Sequence, residues 1–244
     1  MRKQIDILGV PVDNITMKQA NFVTNKFLKK SKRLRLICTP NPEMIMCATE
    51  NEKLLKILNT ADMVIPDGIG VVIASKILKG PSLKERVAGY DLIQNLMKHG
   101  HNKFYFLGGK PGVAKLAAIR MKKKYKNIEV VGYRNGYFKE KEKRKIIKEI
   151  NKSGANILLV GLGSPKQEYF ISDNRKHLKR IKVAIGVGGS FDVMAGKVKR
   201  APNIFRKLGL EWFYRLITEP HRAKRMLKLP IFLLTIIRAT LYHK

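Results

Sequence analysis

The sequence predicts an α/β fold, in which a mostly parallel sheet has helices on both faces and is followed by a C-terminal helical, basic appendage. Short apolar runs rich in Val, Ile and Leu alternate with longer amphipathic stretches, and strands buried on both faces have this continuous apolar character. The candidate strands are Leu34–Thr39, Met63–Pro66, Phe104–Leu107, Ile128–Gly132, Ile157–Gly161 and Val183–Val187.

The stretches between these runs have helical periodicity. Pro42–Leu58 places its apolar residues on one face, and Val113–Tyr125 and Lys139–Asn151 do the same, with charged residues on the opposite face. Strands that alternate with helices are joined by right-handed crossovers and form a parallel sheet. The fold class is therefore Rossmann-like.

The character of the chain changes after about residue 202. Leu208–Thr218 predicts an amphipathic helix, Pro220 suits the first turn of another, and a very apolar stretch follows Pro230. We expect residues 1–200 to form an α/β catalytic domain and residues 201–244 a basic, amphipathic, membrane-docking appendage. The alternative is that the apolar side chains of this segment pack on the α/β domain or on a second copy in a homo-oligomer.

The charge balance of 50 Lys and Arg against 18 Asp and Glu gives a net charge of +32, which suits nucleic acid, anionic lipid or phosphorylated small molecules as partners. The sequence contains no recognisable nucleic-acid-binding module, and aromatic residues are not interleaved with its basic runs. We therefore expect no nucleic-acid partner. Six of the 15 arginines lie in the last 45 residues, which points to an anionic target for that segment, namely a membrane surface.

Several classes of protein are disfavoured by what the sequence lacks. Cys38 and Cys47 fit neither a disulfide framework nor a zinc site, and the five histidines show no ligand spacing, so we expect no metal and no cofactor. No signal peptide is recognisable at the N-terminus, and Leu229–Ile237 is shorter than the roughly 20 residues that span a bilayer. These features predict a cytoplasmic protein, peripheral at the inner face of the plasma membrane.

Glycine turns follow two of the candidate strands, at the carboxyl ends where parallel sheets bind ligands. In Ile157–Glu168, glycines would let the backbone approach a phosphate at a helix start, with side-chain contacts from Lys166 and Gln167. Lys166 stands where a dinucleotide fingerprint has its third glycine, which disfavours a nicotinamide dehydrogenase. Two interpretations of this segment remain open: a phosphate or diphosphate site, and a tight turn that binds no ligand. Gly108 and Gly109 repeat the pattern after another strand, and two such turns favour a nucleotide diphosphate.

Two charged residues are candidates for catalysis. Asp67 follows a buried strand and could act as a general base on a sugar hydroxyl, or simply form an Asp-Gly turn. The fork of Arg86 could bind a diphosphate, or pair on the surface with Glu85. No Asp-x-Asp sequence is present. Many nucleotide-sugar transferases hold a divalent ion with that motif, so here arginine, lysine and helix dipoles would stabilise the leaving group.

Taken together, six stretches resemble the WecG–TagA–CpsF glycosyltransferase family, in order and over nearly the whole chain. They are Thr39–Glu43, Ala61–Gly70, Arg86–Asp91, Gly161–Glu168, Gly186–Asp192 and Leu210–Leu216. The resemblance is greatest to the TagA branch, the N-acetylmannosaminyltransferases of wall teichoic acid synthesis.

This resemblance implies an inverting, metal-independent transfer from a UDP-sugar donor. For the TagA branch, N-acetylmannosamine (ManNAc) passes from UDP-ManNAc to undecaprenyl-diphosphate-GlcNAc in a β-1,4 linkage. Relatives with much the same motifs use UDP-ManNAcA or a UDP-hexose in capsule, enterobacterial-antigen-like or exopolysaccharide synthesis, so the donor stays open. An enzyme of similar fold that acts on soluble nucleotide sugars, such as an epimerase, is a further alternative. The amphipathic C-terminal segment and the missing dinucleotide fingerprint count against it.

The resemblance also implies roles for individual residues. Asp67 matches the proposed base, and Thr39, Asn41, Arg86 and Gln167 match a polar pocket. The residues expected to bind the UDP-sugar are Gly108, Gly109, Gly136, Tyr137, Gly163, Lys166, Gln167, Gly188 and Asp192. Arg215, Arg222 and Arg225 are expected to meet the lipid diphosphate and the membrane surface.

Overall fold

The computed structural model of the protein describes residues 3–218 and 228–242. Its central sheet has six strands in the order β4-β3-β8-β7-β5-β6, and every pair of neighbours is parallel. The strands are β3 (Arg35–Cys38), β4 (Met63–Val64), β5 (Lys103–Gly108), β6 (Glu129–Arg134), β7 (Ile157–Gly161) and β8 (Val183–Gly186). The predicted α/β fold is confirmed, and all six predicted strands occur, although β4 is only two residues long.

A two-stranded antiparallel sheet precedes the central sheet and was not predicted. It pairs β1 (Gln4–Ile7) with β2 (Val10–Asp13). The two-residue turn between them has positive φ at both Leu8 and Gly9, as a type I′ hairpin requires. Asp13 joins this hairpin to the main sheet, because its Oδ2 accepts a hydrogen bond of 2.7 Å from the backbone N–H of Val64.

The helices connect the strands and cover both faces. They are α1 (Met17–Lys30), α2 (Pro42–Thr49), α3 (Glu52–Thr60), α4 (Ile69–Ile77), α5 (Gly89–Lys98), α6 (Val113–Lys124), α7 (Lys143–Lys152), α8 (Lys166–Asp173), α9 (Ser190–Met194), α10 (Asn203–Lys207), α11 (Glu211–Thr218) and α12 (Lys228–Tyr242), with a 3₁₀ turn at Glu140–Glu142.

Three helix predictions need correction. The stretch Pro42–Leu58 is two helices, because the side chain of Asn51 accepts from the N–H of Leu54 and caps a new helix there. The helix predicted over Leu208–Thr218 begins only at Glu211, since Gly209 has a left-handed φ of 74°. The helix predicted from Lys139 begins as the 3₁₀ turn.

Alternating side chains of each central strand enter two separate apolar cores. Leu36 and Leu158 belong to the core beneath α2, α8 and α12, whereas their neighbours Ile37 and Leu159 belong to the core beneath α5, α6 and α9. This is the period-two pattern of a strand buried on both faces. It explains why the strands are continuously apolar in sequence.

A cluster of arginines around Asp62 ties β3 and β4 together at the amino edge of the sheet. Arg33 and Arg35 donate to its Oδ1 at 3.0 and 2.8 Å, and Arg175 donates to Oδ2. Burial opposes ionisation of this carboxyl. The hydrogen bonds from Arg35 and the Leu36 N–H, with the charges of Arg175 and Arg33, outweigh burial and hold the pKa of Asp62 below its ordinary value.

The last helix is packed on the α/β core. Helix α12 contacts α2 and α4, and its Phe232 and Ile236 are fully buried in the core that also contains Leu36 and Leu158. Its other side leaves four apolar side chains exposed, namely Ile231, Leu234, Ile237 and Leu241. Among the helices described, none combines the length and apolar character needed to cross a bilayer. The domain boundary at residue 200 stays a prediction, and Pro220 lies outside the described residues.

Candidate active site

A cleft of about 1310 Å³ lies along the carboxyl edge of the central sheet. Each strand of the sheet contributes a residue that follows its carboxyl end; in chain order these are Thr39, Asp67, Gly109, Gly136, Gly163 and Gly188. Between the neighbouring strands β3 and β8 the chain leaves the sheet in opposite directions, because α2 covers one face and α9 the other. Such a topological switch point is where open α/β sheets form their ligand crevice.

The cleft brings together most of the residues predicted from the sequence. Those that line it are Thr39, Asn41, Asp67, Arg86, Gly109, Gly136, Tyr137, Gly163, Lys166, Gln167, Gly188 and Asp192. Gly108 is not among the lining residues. It ends β5 opposite Gly161, and the next N–H, that of Gly109, donates to the carbonyl of Gly161 at 3.0 Å.

For the three arginines predicted to contact lipid diphosphate, the structure describes no side chain. Arg215 lies in α11, but its side chain is not described. Arg222 and Arg225 lie outside the described residues. Their predicted roles therefore remain predictions.

Asp67 is held between two loops at the carboxyl end of the sheet. Its backbone N–H donates to the carbonyl of Pro40 at 3.1 Å, which ties the turn after β4 to the loop after β3. Gly68, with φ of 102°, then leads into α4 at Ile69. The half-buried Asp67 thus stands at the start of a helix, where the helix dipole favours negative charge.

Thr39 and Asn41 shape the loop after β3. The Thr39 hydroxyl donates to the carbonyl of Gly186, at a long 3.4 Å, and so links this loop to the end of β8. The side-chain oxygen of Asn41 accepts from the Met44 N–H at 2.9 Å and caps α2. Both residues therefore fix the backbone of the cleft as well as lining it.

Arg86 pairs with an acidic residue of the C-terminal segment. Its Nη1 lies 3.2 Å from Oε2 of Glu211, and the two side chains are 17% and 14% exposed. The alternative partner, Glu85, instead accepts a hydrogen bond from the Met17 N–H. The pair joins the loop before α5 to α11, and Trp212 and Leu229 line the cleft beside it.

A second arginine in the cleft was missed at the sequence level as a site residue. Arg200 binds both carboxylate oxygens of Asp91, at 2.6 and 2.8 Å, and its guanidinium lies 4.5 Å from the centre of the Tyr90 ring. Burial opposes ionisation of Asp91, but the hydrogen bonds and charge of Arg200 outweigh it and hold the pKa of Asp91 below its ordinary value. Asp91 closes the Arg86–Asp91 stretch, which was the available signal.

Gln167 bridges the two loops that follow β7 and β8. Its Oε1 accepts from the Gly188 N–H at 3.0 Å, and its Nε2 donates to Oε1 of Glu168 at 2.8 Å. Both side chains are 2% exposed. Glu168 was not singled out from the sequence as a site residue, because a glutamate in the first turn of a helix is common on the surface.

The charges of the cleft are nearly balanced within the described part of the chain. Its lining includes the cations Arg86, Lys110, Lys143, Lys166, Arg200 and Lys228, and the acids Glu43, Asp67, Glu140, Asp192 and Glu211. The +32 net charge is therefore not concentrated here. Within residues 3–218 and 228–242, no three His, Cys, Asp or Glu side chains lie close enough together to hold a metal ion.

Local attraction for an anion comes instead from the helix N-termini that lie along the cleft. The first residues of α2, α4 and α8 line the cleft, so the positive ends of three helix dipoles lie along it. A strand-end carboxylate, partly buried arginines and helix N-termini lie over this switch point, as is typical of α/β enzymes that bind their substrates at the carboxyl edge of the sheet.

Comparison with known proteins identifies the kind of enzyme. The sequence model of the glycosyl transferase WecG/TagA/CpsF family matches residues 5–244, and the chain belongs to this family. It is therefore a glycosyltransferase.

Curated relatives share one descriptive name, N-acetylglucosaminyldiphosphoundecaprenol N-acetyl-beta-D-mannosaminyltransferase. The Bacillus spizizenii protein is 41% identical over 205 residues, which cover 83% of this chain and 78% of that protein. The Bacillus subtilis protein is 39% identical over 206 residues, 83% and 79% of the two chains. The Staphylococcus aureus protein is 37% identical over 240 residues, 97% and 93% of the two chains.

Proposed function

We propose that this glycosyltransferase moves ManNAc from UDP-ManNAc to the GlcNAc of undecaprenyl-diphosphate-GlcNAc, by an inverting, metal-independent reaction that forms a β-1,4 bond. The shared name of the relatives supports the sugar, the acceptor and the β configuration. The observation that carries the chemistry is that Asp67 and Arg86, a carboxylate and a cation, line one cleft at the switch point of the sheet. The pathway would be synthesis of the wall teichoic acid linkage unit.

Asp67 is the general base of the proposed reaction. The acceptor hydroxyl attacks the anomeric carbon from the face opposite UDP, the bond between that carbon and the diphosphate oxygen breaks, and the proton passes to the Asp67 carboxylate. A positioned carboxylate contributes on the order of 10²–10⁴-fold to such a step. Asp67 lies just before the start of α4, where the helix dipole favours the negative charge of a carboxylate.

The leaving UDP acquires negative charge as the bond breaks, and cations must meet that charge. Arg86 and Lys166 line the cleft with the start of α8, so they supply guanidinium, ammonium and backbone N–H groups. Fixed groups of this kind stabilise the transition state more than the ground state. No divalent ion is required in this mechanism.

The two substrates occupy different ends of the cleft in this proposal. The glycine-rich ends of β5, β6, β7 and β8, with Tyr137 and Asp192, receive the UDP-sugar. The acceptor enters beside Asp67, where Trp212, Lys228 and Leu229 of the C-terminal segment line the cleft. Lys228 supplies positive charge on the side where the lipid diphosphate would lie.

The C-terminal segment is proposed to rest on the membrane surface that carries the acceptor. Residues 200–244 contain ten Lys and Arg against two acids. Exposed apolar side chains lie on α12 and also on α11, where Phe213 and Ile217 are exposed. Apolar groups in the acyl boundary and basic groups on anionic headgroups together give reversible attachment, with about 1 kcal/mol for each basic residue near the surface. The protein would then act at the inner face of the plasma membrane.

A donor panel tests the proposed function. Purified protein is incubated in excess EDTA with UDP-ManNAc, UDP-ManNAcA or a UDP-hexose, each with and without an undecaprenyl-diphosphate-GlcNAc analogue. We expect one added N-acetylhexosamine by mass, only with UDP-ManNAc and only with the acceptor. Transfer from UDP-ManNAcA or a UDP-hexose would assign the enzyme to another polysaccharide pathway. Activity that EDTA abolishes and magnesium restores would contradict metal independence.

A further inference from the structure

Two polar residues are buried in the wall of the cleft, where the loops after β7 and β8 meet. Gln167 and Glu168 are each 2% exposed, and they are bonded to each other. A buried carboxyl that is only partly hydrogen-bonded costs stability that an apolar side chain of similar volume would not. Such departures from the ordinary rules of packing concentrate at functional sites.

The orientation of the Gln167 amide follows from its neighbours. The Gly188 N–H can only donate, so the group that receives it at 3.0 Å is the Gln167 oxygen. The Gln167 nitrogen then lies 2.8 Å from Oε1 of Glu168, which must accept. Glu168 is therefore the group that keeps the amide turned with its oxygen toward Gly188.

The Gln167–Glu168 pair also packs directly on the end of β8. A Cβ atom built on Gly186 would lie 2.6 Å from the Gln167 nitrogen and 2.7 Å from Oε1 of Glu168. Real Cβ atoms do not approach so closely, so a side chain at this position would displace the Gln167–Glu168 pair. The pair thus lies against the strand end from which the Gly188 loop departs.

The state of the Glu168 carboxyl fits this arrangement. Burial raises the pKa of Glu168, and the hydrogen bonds from Gln167 and Ser164 oppose that rise without cancelling it. Its Oε2 has no hydrogen-bond partner in the part of the chain that the structure describes. The observed role of the side chain is that of an acceptor, since its Oε1 receives the hydrogen bond from Gln167.

We propose that Glu168 is a positioning residue for donor binding, which holds Gln167 so that Gln167 fixes the Gly188 loop on the UDP-sugar side of the cleft. The proposal rests on the proposed function, because it assumes that a UDP-sugar lies there. Glu168 itself touches neither substrate. Its effect passes through Gln167 to Gly188, Gly189 and Ser190, which line the cleft.

Three variants separate this role from general packing. Glu168→Gln retains an acceptor and the shape of the side chain, Glu168→Met fills the space without an acceptor, and Gln167→Met removes the link itself. The control is Gln94→Met. Gln94 is also buried and accepts from Lys124 and Tyr125 at 2.9 and 2.7 Å, but it lies in α5 and does not line the cleft.

Two measurements are made on the full chain: hydrogen exchange at the Gly188 amide, and the Kd for UDP by calorimetry. We expect Glu168→Met to speed exchange at Gly188 and to raise the UDP Kd about tenfold, the usual scale for a buried group left without its partner. Glu168→Gln should stay within about twofold of the wild type on the same reasoning. Adding Glu168→Met to Gln167→Met should cause no further loss of UDP affinity, and Gln94→Met should leave UDP affinity unchanged.

The outcomes distinguish this inference from the proposed function. If Glu168→Met folds with wild-type exchange at Gly188, or if Glu168→Gln is as impaired as Glu168→Met, the positioning role is overturned. Additive losses in the double variant overturn it as well, since Glu168 would then act independently of Gln167. If Glu168→Met fails to fold, the other two variants still test the positioning role. That role then requires that Gln167→Met speeds exchange at Gly188 and that Glu168→Gln does not. A wild-type chain that binds no UDP-sugar contradicts the proposed function, while exchange at Gly188 still tests the link.

Discussion

At the scale of single residues, the cation proposed to stabilise the leaving group is already engaged. Arg86 donates to Glu211, and both side chains are largely buried, so the pair keeps the guanidinium in the cleft and in a fixed direction. A diphosphate that binds Arg86 must share it with Glu211 or displace that carboxylate. The site is therefore organised before substrate binds, and part of that organisation comes from the C-terminal segment.

Replacement of Arg86 tests its role in catalysis. Arg86→Ala should lower kcat by about 100-fold or more, because one preorganised donor to a developing anion contributes on that scale. The measurement is the steady-state rate of UDP release in the presence of acceptor. Arg33→Ala is the control of equal charge, since Arg33 lies at the amino edge of the sheet and is 58% exposed. An Arg86→Ala enzyme with the kcat of the Arg33 variant would rule out the assigned role.

Asp62 is expected to make stability depend on pH at the amino edge. The pKa of Asp62 is lower in the folded state, so its contribution is fully present above the ordinary aspartate pKa of about 3.9 and is lost as pH falls through the folded value. Asp62→Asn should lower the free energy of unfolding at pH 7 by about 2 kcal/mol, the figure for a buried ion pair reduced because its arginines are partly exposed.

Urea unfolding of both proteins at pH 7 and at low pH measures this difference. The gap between Asp62→Asn and the wild type should narrow as the solution is acidified below about pH 4, since the wild-type carboxyl then loses its charge. A gap that stays constant with pH would show that the arginines do not stabilise an ionised Asp62.

At the scale of elements, α12 has one side packed on the core and one side exposed. One side buries Phe232 and Ile236 against α2 and α4. The start of the helix approaches α4 so closely that a Cβ on Gly70 would lie 2.5 Å from a methyl carbon of Leu229. Because α4 begins just after Asp67, the packing of the C-terminal segment supports the position of the proposed base.

The free energy of unfolding should fall with substitutions on the buried side of α12 and change little with substitutions on its exposed side. Phe232→Ala should lower the free energy of unfolding by about 3 kcal/mol, through lost burial and the cavity left behind. Leu234→Ala, on the exposed side of the same helix, should change it by less than about 0.5 kcal/mol. Urea denaturation of the two variants checks this. Equal effects would mean that α12 does not pack on the core as described.

The exposed side of α12 should matter for membranes. Replacement of Ile231, Leu234, Ile237 and Leu241 by Ser should weaken binding to vesicles of anionic lipid, while the buried contacts of the helix are retained. Vesicle co-sedimentation at low and high salt measures the loss. Phe22→Ser is the control, because Phe22 is 72% exposed on α1. If the variant with all four substitutions binds vesicles as tightly as Phe22→Ser, the exposed side of α12 is not the membrane contact.

At the scale of the whole molecule, the sequence was sufficient to predict the six strands of the central sheet and some of the helices that cover it, but not α1 or α5. Each buried strand is a short apolar run, and such a run can be recognised in the sequence without knowing which strands it pairs with. The β1–β2 hairpin was missed because its strands have four residues each and its Leu8-Gly9 turn lacks the Asn or Asp that usually marks a type I′ turn. Helix breaks at Asn51 and Gly209 depend on capping and φ, which periodicity does not register.

The site was predictable where it depends on strand ends and not where it depends on long-range contacts. Asp67, Gly163 and Gly188 follow strands, so the rule for parallel sheets predicts that they lie at one edge of the sheet, where the cleft is. The Arg86–Glu211 and Arg200–Asp91 pairs join residues more than 100 positions apart, and Glu168 is buried only because two loops meet over β8. Sequence spacing carries no trace of such pairings.

In the proposed reaction, the Asp67 carboxylate accepts the proton of a lipid-linked sugar during transfer from a UDP-sugar. Its most direct test is the turnover of Asp67→Asn with UDP-ManNAc and an undecaprenyl-diphosphate-GlcNAc analogue, measured beside the Kd of the variant for UDP. We expect a fall in kcat of about 100-fold or more, with the UDP Kd within about threefold of the wild type. Near-normal turnover in Asp67→Asn would contradict the proposed role of Asp67.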